Sequence, residues 1–223
     1  MKQALVTGAS SGIGAAITAR LLAEGWAVTA ISRTPPTPAP MLSHLACDLA
    51  DSGAVAAALE KLGPVDAFVH AAGVLRVGAL DQLRIEDGEA MWRLHVETSV
   101  QLAAYLAPRL PDGGRIVLIG SRVAAGAPGR SQYAASKAAM VGLARSWAAE
   151  LAPRGITVNV VAPGATDTPM LQDPARSGVP PRKPPIGRFV RPEEVAALTA
   201  FLLSDDAGSL TGQQIVVCGG ASL

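Results

Sequence analysis

The stretch Thr7-Gly8-Ala9-Ser10-Ser11-Gly12-Ile13-Gly14 follows the apolar run Ala4 to Val6 and leads into an alanine-rich segment of helical length. A glycine-rich turn between a strand and a helix lets the backbone take angles closed to other residues. It also lets the backbone approach a ligand closely, because no Cβ stands in the way. The helix behind it offers unpaired N–H groups and the positive end of its dipole. The reading is a phosphate-bearing cofactor near Ser10. The spacing, Gly8-x3-Gly12-x-Gly14, differs from the common Gly-x-Gly-x-x-Gly fingerprint, and taken alone a merely tight strand-to-helix turn fits it equally well.

Outward from that turn, apolar strand-like runs alternate with Ala/Leu-rich segments of helical length, the pattern of βαβ units around a parallel sheet covered on both faces. Strands are expected near 3–7, 27–32, 42–46, 65–70, 115–120, 156–162 and 213–218. Helices are expected near 12–24, 51–62, 87–107, 131–152 and 192–203, with a shorter helical piece near 79–84. The fold class is therefore α/β, a single doubly wound domain over 1–223 with about seven parallel strands. Prolines from Pro35 to Pro40 mark a loop. A second Pro-rich stretch, Pro169 to Pro192, is too polar for core and too broken for a long helix, and loops of that length tend to be lids or binding segments. A substrate lid is expected near 168–191, with a plain surface excursion as the alternative.

The 223 residues are 49% apolar and 17% charged, with a formal net charge of +1. That balance advertises no nucleic-acid-binding surface. No apolar run is long enough to span a bilayer, and the N-terminal apolar stretch is interrupted at Thr7-Gly8, too early for a signal-peptide core. A soluble cytoplasmic protein with no membrane partner is the expectation. Cys47 and Cys218 lack metal-ligand spacing and are read as buried free thiols; no metal site is expected.

More than a hundred residues beyond the glycine turn come Ser121 and then Tyr133-Ala134-Ala135-Ser136-Lys137. On a helix Tyr133 and Lys137 stand at i and i+4, so both side chains leave one face and can meet one group. With Thr7-Gly8-x3-Gly12-x-Gly14, this set resembles the short-chain dehydrogenase/reductase family, and within it the 3-oxoacyl reductases. The resemblance covers essentially the whole chain, through Asp48-Leu49, Ala72-Gly73, Asn159, Pro163-Gly164, Thr168 and Gly219-Gly220.

That resemblance implies an oxidoreductase interconverting a small-molecule ketone and a secondary alcohol, with hydride transfer from the pro-S face of a nicotinamide. Gly8, Ser10, Ser11, Gly12, Ile13 and Gly14 would hold the cofactor phosphates. Asp48, beside Leu49, matches the position that contacts the adenine amino group, though it equally reads as the lead-in to a helix at Asp51. Ala72 and Gly73 keep a close backbone approach to the cofactor, and Pro163, Gly164 and Thr168 match the loop that holds the carboxamide and a phosphate. At the end of the second strand, Ser32-Arg33-Thr34 offers no carboxylate to a ribose hydroxyl. Arg33 can instead fork onto a 2′-phosphate, with Ser32 and Thr34 adding hydroxyls, so NADP(H) is expected in preference to NAD(H).

In the chemistry implied, Tyr133 is the general acid/base and Lys137 the cation that favours its phenolate and bonds the nicotinamide ribose. Ser121 donates to the carbonyl oxygen. Ser131 is a minor alternative for the serine, because the interval from Ser121 to Tyr133 is one residue shorter than the family's commonest. Two positions depart from the pattern. His70 stands where relatives carry asparagine and reads as a structural hydrogen-bonding group. His95 aligns with the asparagine of the catalytic tetrad, which in the family lies at a helix distortion and holds a relay water on its backbone carbonyl. A histidine there either preserves that carbonyl, titrates, or takes the water's place. In the lid, Met170, Leu171, Val179 and Phe189 suggest an apolar wall, and Arg176, Arg182, Lys183 and Arg188 either greet an acidic group or are solvated. A homo-oligomer, tetramer or dimer, is implied, with the helices near 87–107 and 131–152 pairing and the last strand near a second contact. An NAD-linked alcohol dehydrogenase and a catalytically silent dinucleotide sensor are the rival readings.

Overall fold

The inner strands alternate their side chains between two apolar layers, which is what a sheet buried on both faces requires. Leu5, Phe68, Ile116, Leu118, Val158 and Val160 enter one core. Their neighbours Ala4, Val6, Ala67, Val69, Val117 and Val161 enter the other. The computed structural model describes residues 1–173 and 178–223. Seven strands, β1 (Gln3–Thr7), β2 (Ala27–Ser32), β3 (Leu42–Ala46), β4 (Ala67–His70), β5 (Arg115–Ile119), β6 (Thr157–Pro163) and β7 (Gln214–Val217), form one sheet in the order β3-β2-β1-β4-β5-β6-β7. Every pairing is parallel. The chain order reverses between β1 and β4, so a crevice opens there beyond the strand ends, where open α/β sheets bind ligands.

Helices α1 (Gly12–Ala23) and α6 (Pro192–Leu203) cover one face, sealing Ile17, Leu21, Val195 and Leu202 against the second core. On the other face lie α2 (Ser52–Leu59), α3 (Ile85–Trp92), α4 (Thr98–Leu106) and α5 (Ser131–Leu151), with Leu102, Met140 and Ala144 in the first core. The helix boundaries follow local chemistry. Asp51 caps α2, its Oδ1 accepting from Gly53 N and Ala54 N at 2.8 and 3.1 Å. Pro192 opens α6, and the Glu194 carboxylate reaches back to the Arg191 N–H at 2.8 Å. Gly25, at φ 82°, follows the end of α1.

The expected helix over 87–107 is the main correction. It is two α-helices joined by a π-turn, Arg93–Glu97, in which the Thr98 N–H bonds the Arg93 carbonyl. A π-turn holds one residue more than the α repeat, so an apolar pattern read at 3.6 residues per turn passes over it. The helical piece expected near 79–84 shrinks to one 3-10 turn, Leu80–Gln82, because the chain extends again at Leu83 and Arg84. The helix expected over 51–62 ends at Leu59. Both cysteines are free and buried. Among the described residues no helix is long and apolar enough to cross a membrane.

Candidate active site

The three glycines of the first turn do different work. At Gly8, φ 67°, a Cβ would stand 2.8 Å from the Ala72 backbone, so β1 and the segment after β4 touch through their main chains. At Gly14 a Cβ would lie 2.2 Å from the Gly8 carbonyl oxygen, a distance no side chain accepts. Gly12, φ 54°, faces the Thr168 side chain across the crevice, which brings the loop after β6 over the start of α1. Ser11 is the N-cap residue of α1 yet makes no side-chain cap bond, and the first turn carries no acidic residue. The turn is thus a cradle of backbone N–H groups and hydroxyls without a competing carboxylate, which fits a dinucleotide pyrophosphate.

At the end of β2, Arg33 is exposed and has no ion pair among the described residues, which fits a 2′-phosphate. Ser32 is buried, and its hydroxyl proton goes to the Thr34 carbonyl at 2.7 Å, with His44 Nε2 at 3.2 Å. Asp48 is exposed; its Oδ1 accepts from Ala50 N at 3.0 Å, while Asp51, not Asp48, caps the helix. Leu49 is buried and its carbonyl accepts from Thr98 Oγ1 at 2.6 Å, which ties this loop to α4.

A cavity of about 1050 Å³ lies beyond the ends of β4, β5 and β6. Ser121, Tyr133 and Lys137 line it together with Ile13, Gly73, Pro163, Gly164 and Thr168. Ser121 precedes a 3-10 turn, Arg122–Ala125, and its Oγ accepts from Val123 N at 3.2 Å, which leaves the hydroxyl proton for a guest. Ser131 begins α5, is exposed, and does not line the cavity. Lys137 is buried; its Nζ donates to the Ile119 carbonyl at 2.9 Å and lies 5.9 Å from the centre of the Tyr133 ring. Burial pulls its pKa down to about 7, where an ammonium gives and takes protons near neutrality.

Behind the cavity stand the two histidines, both fully buried. The Val74 N–H points at His95 Nε2 at 3.0 Å. An amide can only donate, so Nε2 is the acceptor and Nδ1 carries the proton. That proton faces Ser136 Oγ at 2.9 Å, and Ser136 Oγ in turn donates to the Tyr133 carbonyl at 2.8 Å. The imidazole also meets the Tyr133 ring edge-on, 5.6 Å between centres. His95 therefore lies behind Tyr133 and outside the cavity lining, its carbonyl accepting from Ser99 Oγ at 2.7 Å. Burial first, then the charge of Lys137, hold its pKa well below the ordinary 6.5.

His70 has the opposite tautomer. Thr7 Oγ1 accepts from the Ala71 and Ala72 N–H groups at 3.1 Å each, so its own proton goes to His70 Nδ1 at 3.0 Å. His70 Nε2–H then donates to the Leu94 carbonyl in the π-turn at 3.0 Å. Burial, then Lys137, lowers its pKa to about 3. Thr7 and Ser136 were not singled out in the sequence, although both lie inside the motifs; only their partners, far along the chain, give them a role. Asn159 binds the Leu210 carbonyl and the Gln213 N–H at 2.6 and 3.1 Å.

Of the apolar residues expected in the lid, Met170, Leu171 and Val179 line the cavity and Phe189 does not. Arg182 and Lys183 line it as well. Arg188 instead grips Glu194 through two 2.8 Å bonds. Arg176 lies outside the described residues.

The family model described as Enoyl-(Acyl carrier protein) reductase matches residues 8–222. The chain is similar to the 3-oxoacyl-[acyl-carrier-protein] reductase FabG of Thermotoga maritima, 36% identical over 98% of this chain and 97% of that protein. Among solved structures, a short chain dehydrogenase family protein from Francisella tularensis superposes with TM-score 0.93 at 30% identity, covering 100% and 99% of the two chains. A short chain dehydrogenase from Burkholderia cenocepacia in complex with NADP gives TM-score 0.88 at 36% identity, covering 100% and 98%.

Proposed function

The chain belongs to the short-chain dehydrogenase/reductase family of oxidoreductases, and from that premise we propose that it is an NADP(H)-dependent reductase converting a ketone to a secondary alcohol. The observation that carries this reading is the shared cavity, which sets Ser121, Tyr133 and Lys137 beside Ile13, Pro163, Gly164 and Thr168.

Gly8, Ser10, Ser11, Gly12, Ile13 and Gly14 would hold the pyrophosphate, Arg33 the 2′-phosphate, Asp48 and Leu49 the adenine end, and Ala72, Gly73, Pro163, Gly164 and Thr168 the nicotinamide half. Bound there, the nicotinamide supplies the hydride. Ser121 turns its free hydroxyl proton to the carbonyl oxygen and stabilises negative charge as it develops. Tyr133 gives that oxygen its phenolic proton. A phenol of ordinary pKa about 10 gives up its proton reluctantly near neutrality, and the Lys137 ammonium lowers the cost of the phenolate. His95 acts through Tyr133, by holding Ser136 and the ring edge. The kinship with an acyl-carrier-protein reductase and with an NADP complex supports the substrate class and the cofactor.

Pairing into a homo-oligomer is part of the same reading. Trp92 on α3, Val100 on α4 and Val216 on β7 leave apolar side chains exposed at both expected contacts.

The test is loss of reduced-cofactor absorbance with a mixed panel of ketones, run with NADPH and with NADH. Consumption of NADPH that Tyr133→Phe abolishes upholds the assignment. Tight NADPH binding without turnover on any carbonyl or alcohol points to a dinucleotide sensor, and equal use of NADH removes the cofactor preference.

A further inference from the structure

Among the described residues lining the cavity there is no aspartate or glutamate, while Arg122, Arg130, Lys137, Arg182 and Lys183 all contribute to its wall. Lys137 is accounted for by Tyr133 and the cofactor; the others have no part in the reduction itself. Arg122 follows Ser121 directly, on the 3-10 turn at the end of β5. Its Nε is buried with no hydrogen-bond partner among the described residues. Buried donors are nearly always bonded, because stripping water from a charged group without replacement costs more than a single hydrogen bond contributes. Nε itself is closed off, but Arg122 lines the cavity beside the candidate carbonyl-binding serine and has no ion pair or side-chain hydrogen bond among the described residues, so its guanidinium is left for an acceptor from the guest.

The second wall points the same way and is built from different chain. The segment Val179-Pro180-Pro181-Arg182-Lys183-Pro184-Pro185 places its two cations between proline pairs, which fix φ and restrict the residues before them. It is pinned at both ends. Val179 packs on Gly129, where a Cβ would come within 2.6 Å of it. At the other end, the Ile186 N–H bonds the Gly219 carbonyl at 3.0 Å, and Pro184 and Pro185 close on Gly219 and Gly220. Arg182 and Lys183 are thus held at the cavity rim by a stiff bracket, solvent-exposed on one side and facing the guest on the other. Phosphates of the cofactor do not explain these cations, since the start of α1 fits the pyrophosphate and Arg33 the 2′-phosphate.

We propose that the substrate is a carbonyl compound bearing an anionic group, carboxylate or phosphate, which Arg122 binds by a charge-assisted hydrogen bond while Arg182 and Lys183 attract it from the rim. This deepens the reductase reading and rests on it.

The experiment compares kcat/KM with NADPH for matched pairs: acetoacetate against its neutral ethyl ester, and dihydroxyacetone phosphate against dihydroxyacetone. The wild type should prefer one anion over its neutral mate by at least tenfold, and which pair shows it identifies the anion. Arg122→Met should cut that ratio at least tenfold, Arg122→Lys should restore part of it, and 0.5 M salt should weaken it in the wild type. If Arg122→Met does not fold, as read by its melt, the exposed pair Arg182→Gln/Lys183→Gln serves, with a smaller loss of the same ratio. A ratio near one in the wild type, or one unchanged in every variant, overturns the proposal. Where neither pair is reduced, calorimetric titration of succinate and inorganic phosphate into the NADP+-loaded protein separates the two claims. Binding that Arg122→Met abolishes upholds the anion site and counts against the reductase; no binding of either anion overturns the site.

Discussion

His95 Nδ1 lies 2.9 Å from Ser136 Oγ, and the opposite ring nitrogen accepts the Val74 amide at 3.0 Å. A second proton on this imidazole would confront an N–H that cannot turn away, so the ring is held neutral between the segment after β4 and the helix that carries Tyr133. That geometry predicts a brace at the tetrad position and not a proton carrier.

His95→Asn should therefore change turnover by less than about tenfold, or about 1.4 kcal/mol of barrier. An amide spans only part of the imidazole's reach, and the group left unpaired should lower stability by about 1–3 kcal/mol. Turnover against pH with saturating NADPH should show the same limbs in both proteins. Loss of a limb between about pH 5 and 8 in the variant alone would show that the imidazole titrates during catalysis.

Tyr133→Phe removes the proton donor and keeps the ring that packs against His95. It should abolish the chemical step while leaving cofactor affinity within a few-fold, as read by single-turnover kinetics and fluorescence titration of NADPH. Lys137→Ala should damage both, because one ammonium serves the phenol and the ribose. Near wild-type turnover in the Phe variant would require another acid.

Arg33→Asp should reverse cofactor preference. The carboxylate repels a 2′-phosphate and accepts from a ribose hydroxyl, whereas the guanidinium does the converse. Ratios of kcat/KM for NADPH and NADH in the two proteins decide it, and equal wild-type ratios would remove Arg33 from the cofactor site.

Gly14→Ala places a methyl 2.2 Å from the Gly8 carbonyl oxygen, so the turn must open. Cofactor binding should fall by at least tenfold even in protein that folds, measured by NADPH titration alongside a thermal melt. Unchanged affinity would mean that the cradle is not where the pyrophosphate lies.

The cofactor-free protein should gain stability as pH rises from about 7 to 10.5. In that window the unfolded chain protonates Lys137 and the native one, with a pKa of about 7, does not. The difference is one proton, a slope of about 1.4 kcal/mol per pH unit at most, lost again as pH falls through 7. Lys137→Met should flatten the slope in urea midpoints taken at pH 7.5, 8.5 and 9.5. On the acid side, His70, with a pKa of about 3, adds stability that is complete above 6.5 and is lost as pH falls towards 3.

All seven strands were legible because each is a short apolar run between turn residues, and the glycine turn because its demands are local. The π-turn at Arg93–Glu97 was legible only through the family resemblance, which places a helix distortion at His95, since one extra residue in a helix leaves no mark on composition and hardly any on periodicity. Ser136 and Thr7 were visible as letters in the motifs, but a hydroxyl has no stated role until its partners are known. Phe189 reads as apolar lid wall and Arg188 as either a cation for an acidic group or a solvated charge, and only the spatial neighbour Glu194 gives Arg188 a partner.

By itself the sequence determined the parallel α/β architecture, the helix-capped glycine turn and the pairing of Tyr133 with Lys137 one turn apart. All of these are written in local spacing, where chain connectivity alone sets the distance. Only the tertiary structure decided that His70 and His95 take opposite tautomers, that Ser121 and not Ser131 shares the cavity with Tyr133, and that Arg122 lines that cavity with no ion pair of its own among the described residues. Protonation, burial and convergence depend on groups 21 to 63 residues away along the chain, and only the packing of the sheet and its helices brings those groups within hydrogen-bonding range.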